Sequence, residues 1–166
     1  MIKKNILKLT FGLAASAVVL LAAIPAGAQT ADIHLRGVWE LTRGPVDCAT
    51  GQPAGPAAFP ALMSFQAGGT VTGQAITPVT ANAYGPVEFG VWRREAGTNN
   101  ASFRLVSYTY DDNKAFTGRR IVTGDLTLTG ANSFTYTATI EIFDASGNLL
   151  VSQCGASSGT RFTLNP

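Results

Sequence analysis

The sequence predicts an all-β fold, an eight-stranded antiparallel up-and-down β-barrel formed by residues 36–166. Three observations predict it. After Ala28 no stretch sustains a helical period of apolar residues. Apolar and polar residues alternate instead, most clearly in Phe134-Thr135-Tyr136-Thr137-Ala138-Thr139-Ile140-Glu141-Ile142. Alternation of this kind marks a strand with one buried and one wet face. Turn signals also recur at short intervals, at Ala67-Gly68-Gly69, Glu95-Ala96-Gly97-Thr98, Asp111-Asp112-Asn113, Gly130-Ala131-Asn132 and Ser146-Gly147-Asn148. Strands joined by tight turns are antiparallel neighbours, and closing the set removes its exposed edges. A two-sheet β-sandwich is the alternative.

The chain opens on a targeting pattern. Lys3, Lys4 and Lys8 form a basic start, and Leu9 through Ile24 is almost wholly apolar. Pro25-Ala26-Gly27-Ala28 then supplies a bend and an Ala-x-Ala cleavage pattern before Gln29. This is the three-part layout of a bacterial-type secretory signal over residues 1–28. The alternative is an uncleaved anchor, since the apolar run approaches spanning length. Cleavage would leave a secreted or periplasmic protein with no membrane span. Residues 29–35 read as a flexible lead-in, where His34 has no acid or nucleophile beside it in sequence.

Strands are expected near 37–43, 60–66, 70–76, 87–94, 101–110, 115–129, 133–143 and 148–164. Threonine, valine and aromatic residues are frequent in them, as pleated, half-buried surfaces favour. The last strand is expected to break around Gly155–Gly159. Segment 44–59, rich in Gly, Pro and Ala, reads as a long loop, and 77–86 as a second.

Composition excludes several classes. Only 13% of the residues are charged, about half the usual share, which argues against a disordered polyelectrolyte or a coiled coil. Without the signal the chain carries nine basic and ten acidic residues, a net charge near −1. That gives no electrostatic case for nucleic acid or anionic lipid. Arg119-Arg120 is a basic pair without a wider basic face. Two cysteines and one histidine are too few for a structural zinc site, so no metal is expected. In an oxidising compartment Cys48 and Cys154 are expected to pair, the alternative being two free thiols.

Gly37-Val38-Trp39 opens the first strand and Arg161 sits near the end of the last. This resembles the lipocalin or calycin pattern, in which an early Gly-x-Trp places an indole at the closed end and a late arginine packs across it. A guanidinium over an indole is a favourable cation–π contact that also plugs a barrel. Further stretches resemble small secreted bacterial lipocalin-like proteins of largely uncharacterised role. They are Asp47-Cys48-Ala49-Thr50-Gly51, Phe65 with Gly68-Gly69-Thr70-Val71, Gly90-Val91-Trp92, and Cys154-Gly155 with Gly159-Thr160-Arg161. The resemblance implies the barrel and Trp39–Arg161 as its closure. The chain is shorter than a typical lipocalin and shows no C-terminal helix. Trp39 opposite Arg161 and Cys48 opposite Cys154 imply antiparallel registers only two residues apart, an offset that a diagonal contact or a bulge accommodates. The second Gly-Val-Trp, at 90–92, reads as convergent packing of an indole beside a glycine, with internal duplication as the alternative.

The two-residue period assigns the interior. If Trp92 points inward, so do Gly90 and Glu88. If Leu126 and Leu128 do, so do Gly124, Val122 and Arg120. Glu88 and Arg120 then fall at one end of the barrel, opposite Trp39 and Arg161. They could orient the polar group of an apolar ligand, form a structural ion pair, or point into water. Phe65, Phe103, Leu105, Phe134, Tyr136 and Ile140 are further inward candidates, as core or as lumen lining. Tyr108 and Tyr110 fall on the opposite face from Phe103 and Leu105.

No Gly-x-Ser-x-Gly elbow, His-Glu-x-x-His pair or phosphate loop is present. The leading expectation is an exported, non-enzymatic barrel, without cofactor, that holds a small apolar or amphipathic molecule inside. Its candidate ligand residues are Phe65, Glu88, Trp92, Phe103, Arg120 and Tyr136. One alternative is an enzyme resembling allene-oxide-cyclase-like barrels, with Glu88 as acid or base and Arg120 holding an anion. The other is an interaction protein with a filled core, acting through loops 44–59 and 77–86.

Overall fold

The computed structural model describes residues 35–55, 58–75 and 86–164. The targeting pattern, His34 and most of loop 77–86 lie outside them. Eight strands follow in chain order: β1 (Gly37–Val46), β2 (Phe59–Phe65), β3 (Thr70–Ala75), β4 (Glu88–Arg94), β5 (Asn100–Tyr110), β6 (Phe116–Gly130), β7 (Ser133–Asp144) and β8 (Leu149–Arg161). Each pairs antiparallel with the next, and β1 pairs with β8, closing the barrel β1-β2-β3-β4-β5-β6-β7-β8. The sandwich alternative is thereby excluded.

The tight turns form where glycine and aspartate demand them. Gly68 and Gly69 both adopt positive φ, 85° and 84°, between β2 and β3. Asp111 and Asp144 each accept a hydrogen bond at Oδ1 from the backbone four residues on, at Ala115 and Asn148. Near the end of β5 the register shifts between Thr109 and Tyr110, opposite Gly118 at φ 152°. The shift marks a β-bulge or irregularity at this end of the β5–β6 ladder.

β1 and β8 meet in the register that places Trp39 opposite Arg161. The same ladder sets Cys154 opposite Val46, and Cys48, two residues past the strand end, reaches it in a disulfide. The two-residue offset is therefore a diagonal step beyond β1. One expectation fails: β8 does not break at Gly155–Gly159. It runs unbroken because β7 and β1 hold its backbone on both sides. Its small residues make space for neighbouring rings. A Cβ at Gly159 would sit 2.5 Å from the Phe134 ring, and one at Gly124 in β6 would sit 2.4 Å from that of Phe103.

The inward faces pack most tightly at one end. Trp39, Met63, Phe65, Leu126 and Phe134 are almost fully buried there. Phe65 meets both Trp92 and Phe134 edge-on, and Trp39 packs on Phe134 at 4.8 Å between centroids. Arg161 caps this end, its guanidinium 4.3 Å from the Trp39 ring. It also donates to the Arg36 carbonyl at 2.6 Å and to Asn132 Oδ1 at 3.2 Å. Burial lowers its pKa from the ordinary arginine value. The Trp39 indole N–H donates to the carbonyl of Leu35, itself fully buried.

Candidate functional site

The opposite end of the lumen is built differently. Four strands bring polar side chains inward there: Arg43 from β1, Glu88 from β4, Arg120 from β6 and Tyr136 from β7. Each follows from the two-residue period. Arg43 continues the inward row Trp39, Leu41. Glu88 continues the row of Trp92 and Gly90, and Arg120 that of Leu126, Gly124 and Val122. Glu88 is 1% exposed and Arg43 is 8% exposed, so both charges have been withdrawn from water.

The three charges form one cluster. Arg43 Nη1 donates to Glu88 Oε2 at 3.0 Å. Arg120 Nη2 donates to the other oxygen, Oε1. Both carboxylate oxygens are thus held by guanidinium groups, the arrangement that makes a buried acid tolerable. Gly73, directly across the ladder from Glu88, makes the room. A Cβ there would lie 2.6 Å from Glu88 Oε2 and 3.4 Å from Arg43 Nη2. Burial acts to lower the Arg43 pKa, but the Tyr136 phenol and the Glu88 carboxylate outweigh it and raise the value above the ordinary one. Burial raises the Tyr136 phenol, with the Arg43 charge opposing and Glu88 reinforcing.

Beside this cluster lies a cavity of about 240 Å³. Arg43, Glu88, Arg120 and Tyr136 form its polar wall, while Phe59, Val122, Ala138 and Ile140 form much of its apolar wall. Other concavities are larger, among them two of about 620 and 640 Å³ against the outer wall. Outward-facing residues such as Thr127, Thr135 and Gln74 line them, and neither touches the charge cluster.

Of the residues singled out for ligand contact, the fold brings Glu88, Arg120 and Tyr136 together at the cavity. Phe65, Trp92 and Phe103 also point inward, but they lie in the filled half and do not border it. Their rings are committed to other rings, as in the edge-on contact of Phe103 with Tyr136 at 5.1 Å. Tyr108 and Tyr110 are exposed on the outer wall, where both meet Phe116 edge-on.

The sequence reading missed Arg43, although the alternation of Trp39 and Leu41 pointed to it. Ending the first strand at 43 made Arg43 a strand terminus. β1 in fact continues through Gly44 and Pro45 to Val46, paired with β8. It also missed Ser107, which faces inward directly across from Arg120.

Loop 47–55 stands at the same end of the barrel. Asp47 Oδ1 accepts from the backbone N–H of Ala49 and Thr50 and from the Thr50 hydroxyl. The Thr50 bonds, then that of Ala49, lower the Asp47 pKa. The Cys48–Cys154 bridge ties this loop to β8. Among the described residues no cluster of histidine, cysteine or carboxylate side chains could hold a metal. Nor is any helix among them long and apolar enough to cross a membrane. No protein-family model matches the chain, and no curated protein is significantly similar to it.

Proposed function

We propose that the protein is an exported lipocalin-like barrel that holds a small apolar or amphipathic molecule in the unfilled end of its lumen. The cavity beside Arg43, Glu88 and Arg120 carries this reading. It has the features of a small-molecule site, concave and partly apolar, with a few converging polar groups. The disulfide fits an oxidising compartment, and the targeting pattern at residues 1–28 supplies the route to it.

Binding accounts for the site better than proton transfer at Glu88. A general acid or base must be free to reach a substrate proton. Both oxygens of Glu88 are instead engaged by arginine side chains. The cluster is suited to holding and orienting.

Native mass spectrometry of protein purified from an exporting host tests the reading, together with titration by the uncharged fluorophore Nile red. The expected results are a retained small molecule, or saturable dye binding at one equivalent that Ala138→Trp abolishes without loss of the cooperative fold. An apo mass together with no saturable dye binding by the wild type would refute it.

A further inference from the structure

We infer that the cavity selects an organic monocarboxylate, its acid group bound by Arg43 and Arg120 and its apolar chain lying toward Ile140. The inference rests on the reading that the lumen holds a ligand, and it names the ligand's chemical class.

The charge count carries it. Two guanidinium groups share one carboxylate, so the cluster keeps one unit of positive charge. Glu88 is the only carboxylate among the described residues lining the cavity. The hydrogen-bond count agrees. Arg43 Nε and Nη2 and Arg120 Nε, on two of the side chains that line the cavity, are buried without a hydrogen-bond partner. A guanidinium has five N–H donors, and donors withdrawn from water are costly to leave unmade. Water could accept some of these bonds, and the Arg120 side chain is 23% exposed to it, but only an anion cancels the remaining charge. An anion does both, and a carboxylate matches the planar fork of arginine.

The surrounding wall favours an organic acid over an inorganic ion. Phe59, Val122, Ala138 and Ile140 offer an anion nothing, but they suit a hydrocarbon chain. At ~30 Å³ per water-sized group the cavity holds about eight heavy atoms, and a longer chain can pass the rim. A single negative charge balances the cluster, which a phosphate dianion would overshoot.

The test is calorimetric titration of the purified, disulfide-bonded protein with octanoate, octan-1-ol and inorganic phosphate. Octanoate is expected to bind about ten- to a hundredfold more tightly than the alcohol, the range of a charge-assisted hydrogen bond. Phosphate is expected to bind more weakly than octanoate. In Arg120→Gln the ratio of acid to alcohol affinity should fall toward one. Should that variant fail to fold, the wild-type ratio decides alone. Equal affinity for acid and alcohol would overturn the headgroup assignment while leaving interior binding intact. Phosphate binding as tightly as octanoate would overturn the role of the apolar wall. If neither octanoate nor octan-1-ol binds, the interior-binding reading itself falls.

Discussion

The two ends of this barrel share one wall and one alternation rule, yet they are stabilised by different physics. The Trp39 end is filled with rings, two of which press on glycines that leave room for them, and Arg161 covers it. The Arg43 end has a cavity, a three-charge cluster and a disulfide. The contrast shows how space can be kept inside a small fold. An unfilled lumen forgoes packing energy. The walls around it must then be held by something else, here a covalent bond and paired charges. In the proposed reading those charges also give the space a chemical preference.

The largest expected effect is at the bridge. Replacing Cys48 and Cys154 with serine releases a loop spanning 106 positions. In the chain-entropy model this costs about 4–5 kcal/mol, read as a lower denaturation midpoint. A change below about 1 kcal/mol would mean that the cavity end is not held by its bridge. Phe134→Ala tests the other end. It should cost about 3–5 kcal/mol, because the packed rings around it cannot close the hole. Ile140→Ala, at the cavity rim, should cost about 1–2 kcal/mol, since that space is already open. Equal losses at the two positions would erase the distinction between the ends.

Glu88→Ala addresses the cluster and should cost about 3–5 kcal/mol, because two guanidinium groups then face each other without their shared acid. Octanoate should raise the melting temperature of this variant more than that of the wild type, because without Glu88 the uncompensated positive charge rises from one unit to two. An equal shift in both proteins would show that the acid group binds elsewhere.

The smallest effect is alkaline. Burial raises the Tyr136 phenol, so its folded pKa lies above its unfolded one, near 10. The stability tied to that proton is complete below about pH 10 and is lost as pH rises through the folded value. Between about pH 9 and 11 the unfolding free energy of the wild type should therefore fall more steeply than that of Tyr136→Phe. Parallel slopes would place the phenol in contact with water.

Much of this contrast was legible in the sequence. The alternation in residues 134–142 set the inward row of β7, and the rows of Trp92 and Leu126 placed Glu88 and Arg120 at one end. The pairing of Trp39 with Arg161 set the closing register. Other features were hidden for physical reasons. Gly155-Ala156-Ser157-Ser158-Gly159 has poor strand propensity, and only pairing on both sides keeps it extended. Arg43 stands before Gly44-Pro45, a pair that reads as a strand end until β8 is known to lie beside it. Phe65, Trp92 and Phe103 point inward like Tyr136. Alternation fixes which face a side chain takes, but not how far along the lumen the packing extends.

Nuclear Overhauser contacts between bound octan-1-ol and assigned methyl groups locate the ligand in the barrel. With the ligand in the cavity, contacts are expected from the alkyl chain to Val122, Ala138 and Ile140, and none to Met63, Leu126 or Leu128 in the filled half. Contacts confined to outward-facing Leu62, Val91 or Leu150 would place the ligand outside the barrel and contradict interior binding.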